Sequence, residues 1–230
     1  MKNLIVANWK MNPVKLIEAE KLLGDIERGI GRLKKTEVVV CPPFPYLVGL
    51  NKISKKLILG AQDCFWQESG AFTGEVSPVM LKALGCQYVI VGHSERRKYQ
   101  KESSEMINKK IKAVLAAGLK PILCVANLAQ LKKELLGVNK EVIVAYEPLF
   151  AIGTGKACSL KKAKKMRESM PVLQVLYGGS VVPENAVDYI IEAGFQGLLV
   201  GGASLKAREF LQIINNVDEA KASSPTASKV

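Results

Sequence analysis

The chain has 230 residues and a formal charge of +12, with 33 Lys and Arg against 21 Asp and Glu. Hydrophobic residues make up 48% and charged residues 23%, which excludes a disordered, collagen-like or fibrous chain. Five widely spaced cysteines (Cys41, Cys64, Cys86, Cys124 and Cys158) without a C-x-x-C pair, and a single histidine, argue against a disulfide framework, a zinc or iron–sulfur centre and a His-rich metal site.

The opening segment MKNLIVANWKMNPVK has too few apolar residues for a signal-peptide core, and no apolar run reaches about 18 residues. A cytoplasmic location and no membrane span are therefore expected. Short β-branched runs then recur at Leu4–Ala7, Val38–Cys41, Leu57–Ala61, Tyr88–Val91, Pro121–Val125, Val142–Ala145, Val175–Tyr177 and Gly197–Val200. They are continuously apolar, as expected of parallel strands buried on both faces. Between them lie stretches with helical spacing. Val14–Ile30 puts Leu16, Leu22, Leu23 and Ile26 on a common stripe, and Glu105–Ala117 does so with Ile107, Ile111, Val114 and Leu115. Eight strand–helix units in one domain predict an α/β fold, a (β/α)8 barrel over residues 1–217. An open doubly wound sheet is the rival architecture. It calls for a G-x-G-x-x-G turn after its first strand, where Asn8-Trp9-Lys10-Met11-Asn12 stands instead. Residues 218–230 are polar and rich in small side chains, and are expected to be a disordered tail.

Lys-Lys pairs recur inside or beside the helix-like segments, as solvated helix faces do. The positive field they create suits a small phosphorylated substrate and, on charge alone, a nucleic acid.

In such a barrel the chemistry collects at the C-terminal ends of the strands. There the sequence has Asn8 and Lys10 after strand one and Gly92-His93-Ser94-Glu95 after strand four. Glu147-Pro148 follows strand six, Gly178-Gly179-Ser180 strand seven, and Gly201-Gly202-Ala203-Ser204 strand eight. Singly, a histidine can be structural, a glutamate a helix cap, and a glycine pair a turn. Together on one rim they supply an imidazole, carboxylates, an ammonium, an amide, and bare backbone N–H groups for a phosphate.

These motifs resemble the triosephosphate isomerase family through nearly the whole chain. The resemblance is carried by NWKMN (8–12), GAQDCFWQESGAFTGEVSP (60–78), YVIVGHSERR (88–97), AYEPLFAIGTGK (145–156), YGGSV (177–181) and LLVGGAS (198–204). It implies interconversion of dihydroxyacetone phosphate and D-glyceraldehyde 3-phosphate through an enediolate. Glu147 would be the base, and His93 the electrophile, working as neutral imidazole with its pKa held down by the following helix. Lys10 and Asn8 would face the substrate oxygens and phosphate, with Glu95 near the lysine. Gly153, Ser180, Gly201 and Gly202 would bind the phosphate. Pro148, Phe150, Ala151, Ile152, Thr154, Gly155 and Lys156 would belong to a lid that Tyr177 and Ser180 hold shut. The resemblance further implies no metal or other cofactor, and no membrane or nucleic-acid partner. It also implies a homodimer, with a tetramer as the other assembly, in which Thr73 of the 62–76 loop reaches the neighbouring subunit.

The chain departs from the family pattern in four places. Cys124-Val125-Ala126-Asn127 replaces C-x-G-E after strand five, which predicts that this glutamate's structural pairing is missing. The helical segments after strands five and six are shortened, to 128–136 and 159–170, and Phe150 stands where tryptophan is usual. Two competing readings share parts of the pattern. Another phosphosugar isomerase would keep the glycine pairs but has no need of Asn8, Lys10, His93 and Glu147 together. A basic nucleic-acid or scaffold protein has no need of an intact rim.

Overall fold

Strands buried on both faces need cover on each side, and a ring of strands supplies one side by itself. The computed structural model describes residues 1–139, 141–151 and 157–223. Its strands are β1 (Asn3–Asn8), β2 (Thr36–Cys41), β3 (Ile58–Ala61), β4 (Tyr88–Val91), β5 (Lys120–Val125), β6 (Ile143–Tyr146), β7 (Val175–Tyr177) and β8 (Gly197–Val200). They pair in parallel in sequence order, and β1 pairs with β8 to close the barrel. The expected (β/α)8 architecture is therefore what forms, with strand limits within two residues of the apolar runs.

Side chains alternate across each strand, so every second residue faces the axis. Leu4 and Val6, Val39 and Cys41, Tyr88 and Ile90, Ile122 and Cys124, Ala145, Leu176 and Leu199 fill the interior. The other set, including Ile5, Ala7, Val89, Val91 and Val144, packs outward against the helices.

The helices among the described residues are α1 (Leu16–Gly29), α2 (Leu47–Ile53), α3 (Pro78–Ala83), α4 (Ser94–Tyr99), α5 (Ser104–Ala116), α6 (Leu128–Glu134), α7 (Leu160–Ser169), α8 (Ala186–Ile191) and α9 (Ala207–Ser223). In α1 the buried residues are Ala19, Leu23 and Ile26. Leu16, expected on that stripe, is exposed at the first turn. In α5 the stripe Ile107, Ile111 and Val114 is buried as its spacing requires. The helices after β5 and β6 are short, seven residues in α6 and ten in α7.

One expectation needs correction. The C-terminal tail does not begin at 218: α9 runs through Ser223, and the Asp218 carboxylate accepts the backbone N–H groups of Lys34 (3.1 Å) and Lys35 (2.9 Å) ahead of β2. Those bonds hold its pKa below the usual carboxylate range against the opposing effect of burial. Residues 224–230 lie outside the described residues. At the end of β5 no glutamate stands at 127, as expected, but a glutamate pairing arrives from elsewhere. Asn127 is the N-cap of α6, accepting the Gln130 N–H at 3.0 Å, and Glu134 at the other end of that helix pairs with Arg97.

Barrel closure depends on Gly197. A Cβ there would lie 2.0 Å from the Leu4 carbonyl oxygen and 2.7 Å from Leu176 Cδ2, both inside van der Waals contact. Gly197→Ala is expected to lower stability by about 1–3 kcal/mol through forced separation of β1 and β8. Thermal denaturation reads this out, and an unchanged Tm would contradict the assignment of Gly197 as the closure point.

Candidate active site

The two-residue repeat that fills the barrel also sets what stands at its mouth. In β1 the inward series Leu4, Val6 continues to Asn8; beyond β6, Ile143 and Ala145 continue to Glu147. Leu176 is followed in the same way by Gly178, and Leu199 by Gly201. His93 is out of step, since Gly92 holds the inward position. Gly92 has φ +69°, a conformation that L side chains rarely adopt, and the turn it makes brings His93 over the barrel as the N-cap of α4.

Lys10 likewise has φ +55°, unusual for a residue with a side chain. Its N–H donates to Asn8 Oδ1 at 3.1 Å, and its carbonyl accepts Gln62 Nε2 at 2.7 Å. Gln62 also donates to the Cys41 carbonyl at 2.8 Å, tying this loop to the end of β2. The next residue, Asp63, is anchored by Lys110 Nζ (2.7 and 2.8 Å) and Arg96 (2.9 Å). Gln62 was not singled out in the sequence, although a polar residue directly after β3 follows the same rule as Asn8.

The charged groups form a chain across the rim. Lys10 Nζ meets Glu95 Oε1 at 2.5 Å. The Glu95 N–H, in the first turn of α4, points at His93 Nδ1 at 3.3 Å, and His93 Nε2 lies 3.0 Å from Glu147 Oε1. The other Glu147 oxygen accepts the Ser94 N–H at 3.0 Å. Because Nδ1 accepts, the hydrogen-bond pattern assigns the ring proton to Nε2, facing Glu147.

Burial and pairing oppose one another here. Burial pushes the Glu147 carboxyl up, but the His93 charge and the bonds from His93 and Ser94 outweigh it, so its pKa is lowered. Burial pushes His93 down, but the Glu147 charge and hydrogen bond outweigh it, so its pKa is raised. With Glu147 on Nε2, the carboxylate prevails over burial and the Lys10 charge in this arrangement of the side chains.

Asn8, Lys10, His93 and Glu147 line a cavity of about 380 Å³ together with Gly178–Ser180 and Gly201–Ala203. Gly179 has no room for a side chain, Gly178 is tight, and at Gly201 a Cβ would make an ordinary contact. A Cβ at Gly178 would lie 3.2 Å from Glu147 Cγ, one at Gly179 2.3 Å from the Tyr177 hydroxyl, and one at Gly201 3.4 Å from Lys10 Cε. Lys206, paired to Glu209 at 2.7 Å, also lines the cavity, although no motif in the sequence marks it.

Other expected residues lie outside this cavity. Tyr177 is fully buried, stacked on Tyr189 at 3.6 Å between ring centres, and its hydroxyl accepts the Cys158 N–H at 3.0 Å. Pro148 is buried, whereas Phe150 is exposed, with Lys162 Nζ 4.3 Å above its ring. Ala151 ends the turn Leu149–Ala151. Ile152, Gly153, Thr154, Gly155 and Lys156 lie outside the described residues. Thr73 is exposed and does not line the cavity. Among the described residues no group of three or more His, Cys, Asp or Glu side chains could hold a metal ion, and no helix is long and apolar enough to cross a membrane.

The arrangement has named relatives. Residues 3–217 match the family model described as triosephosphate isomerase. A protein named triosephosphate isomerase from Thermoanaerobacter sp. (strain X514) is 42% identical over 247 residues, covering 92% of this chain and 98% of the relative. Those from Dehalococcoides mccartyi (strain CBDB1) and Dictyoglomus turgidum are 42% and 38% identical, covering 93% and 94% of this chain and 96% and 99% of their own lengths. With a barrel closed in sequence order, a histidine–glutamate pair at its mouth and a match across almost the whole chain, this protein belongs to the triosephosphate isomerase family.

Proposed function

We propose that this chain is an enzyme that interconverts dihydroxyacetone phosphate and D-glyceraldehyde 3-phosphate, in glycolysis and gluconeogenesis. The observation that carries the reading is one cavity in which Lys10, His93 and Glu147 face two glycine-rich turns. A proton shift between adjacent carbons needs that set: a base at the carbon, a proton donor at the oxygens, and a fixed positive field for the phosphate and enediolate. No metal or organic cofactor is required for those steps.

Glu147 takes the proton from the carbon next to the carbonyl. The electron pair moves onto the carbonyl oxygen, which receives a proton from His93 Nε2. His93 recovers a proton from the neighbouring hydroxyl, and Glu147 returns its proton to the second carbon. Glu147 cannot serve His93 and the substrate carbon together, so its carboxylate must leave Nε2 when substrate binds. Its departure removes the main influence that raises the His93 pKa. Burial and the Lys10 charge then lower it, with Glu95 opposing, and a near-neutral imidazole is what the proton relay needs. The backbone at Ser180, Gly201 and Gly202 receives the phosphate; Gly153, expected to join them, lies outside the described residues.

The apolar side chains of Met11, Val14, Ile17 and Val48 are at least half exposed. The Tyr46 hydroxyl, which donates to the Pro13 and Val14 carbonyls at 3.0 and 2.6 Å, brings their two segments side by side. This supports a homodimer that covers them and brings Thr73 to the partner's rim. The cytoplasm is its proposed location.

Turnover of D-glyceraldehyde 3-phosphate is expected in the parent, with a loss of about 10²–10⁴-fold in Glu147→Gln. A folded parent without turnover, or a fully active variant, would overturn the reading. A second outcome concerns the single histidine, whose ring signals are unambiguous in 15N NMR. In the free protein His93 is expected to titrate above its ordinary value of 6.5, and in Glu147→Gln below it. Equal midpoints in the two proteins would contradict the pairing of His93 with Glu147.

A further inference from the structure

Arg97, in α4, reaches back beneath the rim. Its Nε donates to the Gly92 carbonyl at 2.7 Å and its Nη2 to the Cys124 carbonyl at 2.7 Å, so one guanidinium ties the ends of β4 and β5 together. Gly92 directly precedes His93 and makes the turn that aims it. The guanidinium is in turn held by Glu134 in a two-pronged pair, Nη1 to Oε1 at 2.5 Å and Nη2 to Oε2 at 2.9 Å. Glu134 is completely buried; its Oε1 also accepts the Ser104 hydroxyl at 3.0 Å, and its backbone carbonyl accepts Asn108 Nδ2 at 2.8 Å. A carboxylate taken out of water at the end of a seven-residue helix is costly, and a well-packed apolar pair would often be as stable. What an apolar pair could not do is aim five N–H donors in fixed directions, two of them at carbonyls on the catalytic rim.

We propose that Glu134 is a positioning residue for the isomerisation: by orienting Arg97 it fixes the end of β4 that carries His93. The imidazole is then set from both sides, by the Gly92 carbonyl held on Arg97 and by the Glu95 N–H at Nδ1. Without the Glu134 charge the guanidinium can turn toward water, releasing both carbonyls and letting the ring drift from the substrate oxygens. The substrate's phosphate contacts lie across the barrel at Gly201 and Gly202 and stay in place. The inference rests on the role of His93 argued above.

The test is steady-state kinetics with 15N NMR of His93 on the full chain. Glu134→Gln is expected to lower kcat by about 10–100-fold, with KM within about twofold, and to shift the His93 ring signals in molecules that remain folded. Glu134→Asp, which keeps the charge, should recover part of both. A folded Glu134→Gln protein with kcat within about twofold of the parent and unchanged ring signals would overturn the proposal. If Glu134→Gln fails to fold, Ser104→Ala removes one bond from Glu134 Oε1 and should still lower kcat about two- to fivefold; no change in kcat or in the ring signals would overturn it. His93→Gln, measured alongside, keeps the two claims apart. Loss of turnover there, with Glu134→Gln fully active, sinks only the role of Glu134; retained turnover in His93→Gln sinks the role of His93 itself.

Discussion

Glu147 cannot face His93 and a substrate carbon at the same time, and the proposed mechanism turns on that limit. Its carboxylate is almost fully buried and is stabilised by His93 Nε2 and the Ser94 N–H. A buried carboxylate left unpaired is heavily penalised, so in the proposed mechanism Glu147 moves only when the substrate offers an alternative worth the exchange. The same move resets its neighbour. With Glu147 on the ring, His93 is drawn toward its charged form; with Glu147 withdrawn, burial and Lys10 draw it toward neutrality. In the proposed mechanism, this contact of 3.0 Å is what couples the position of Glu147 to the protonation of His93.

Everything else about the site serves to keep that exchange local. The barrel interior below the rim is packed with Leu, Ile, Val, Cys, Ala and Tyr side chains, among which the Cys124 thiol meets Glu147. Lys10 is held in an unusual backbone conformation by Asn8 and Gln62, so its ammonium meets Glu95 instead of extending into water. Arg97 and Glu134 lock the strand ends from beneath. In the cavity Gly178, Gly179 and Gly201 leave space that any side chain would fill with contacts to Glu147, Tyr177 or Lys10. The cost is borne in conformational restriction, with Gly92 and Lys10 both at positive φ on the rim.

Much of the fold was legible because it rests on local patterns. Continuous apolar runs marked all eight strands, and their two-residue phase carried Asn8 and Glu147 to the mouth. What escaped depends on partners far away in sequence. The polar stretch from Asp218 reads as a tail, yet α9 continues because Asp218 meets the N–H groups of Lys34 and Lys35, more than 180 residues distant. Glu134 reads as one more charge on a Lys-rich helix, and only the packing of α6 against α5 brings it under Arg97. The missing C-x-G-E glutamate suggested a gap at this end of the barrel, because the sequence does not reveal that a carboxylate arrives from the other end of the same helix. The pairing of His93 with Glu147 escaped for another reason: it depends on where the Glu147 side chain points, which no spacing rule encodes.

The coupling of Glu147 to His93 is most directly tested by a crystal structure with a phosphorylated hydroxamate, whose planar oxygens imitate the enediolate. The account predicts that Glu147 leaves Nε2 and Ser94 and points at the reacting atoms. The His93 Nε2–H should then bond to the hydroxamate oxygens, and the phosphate should lie on the backbone of Gly201 and Gly202. A bound analogue with Glu147 still 3.0 Å from His93 Nε2 would contradict it.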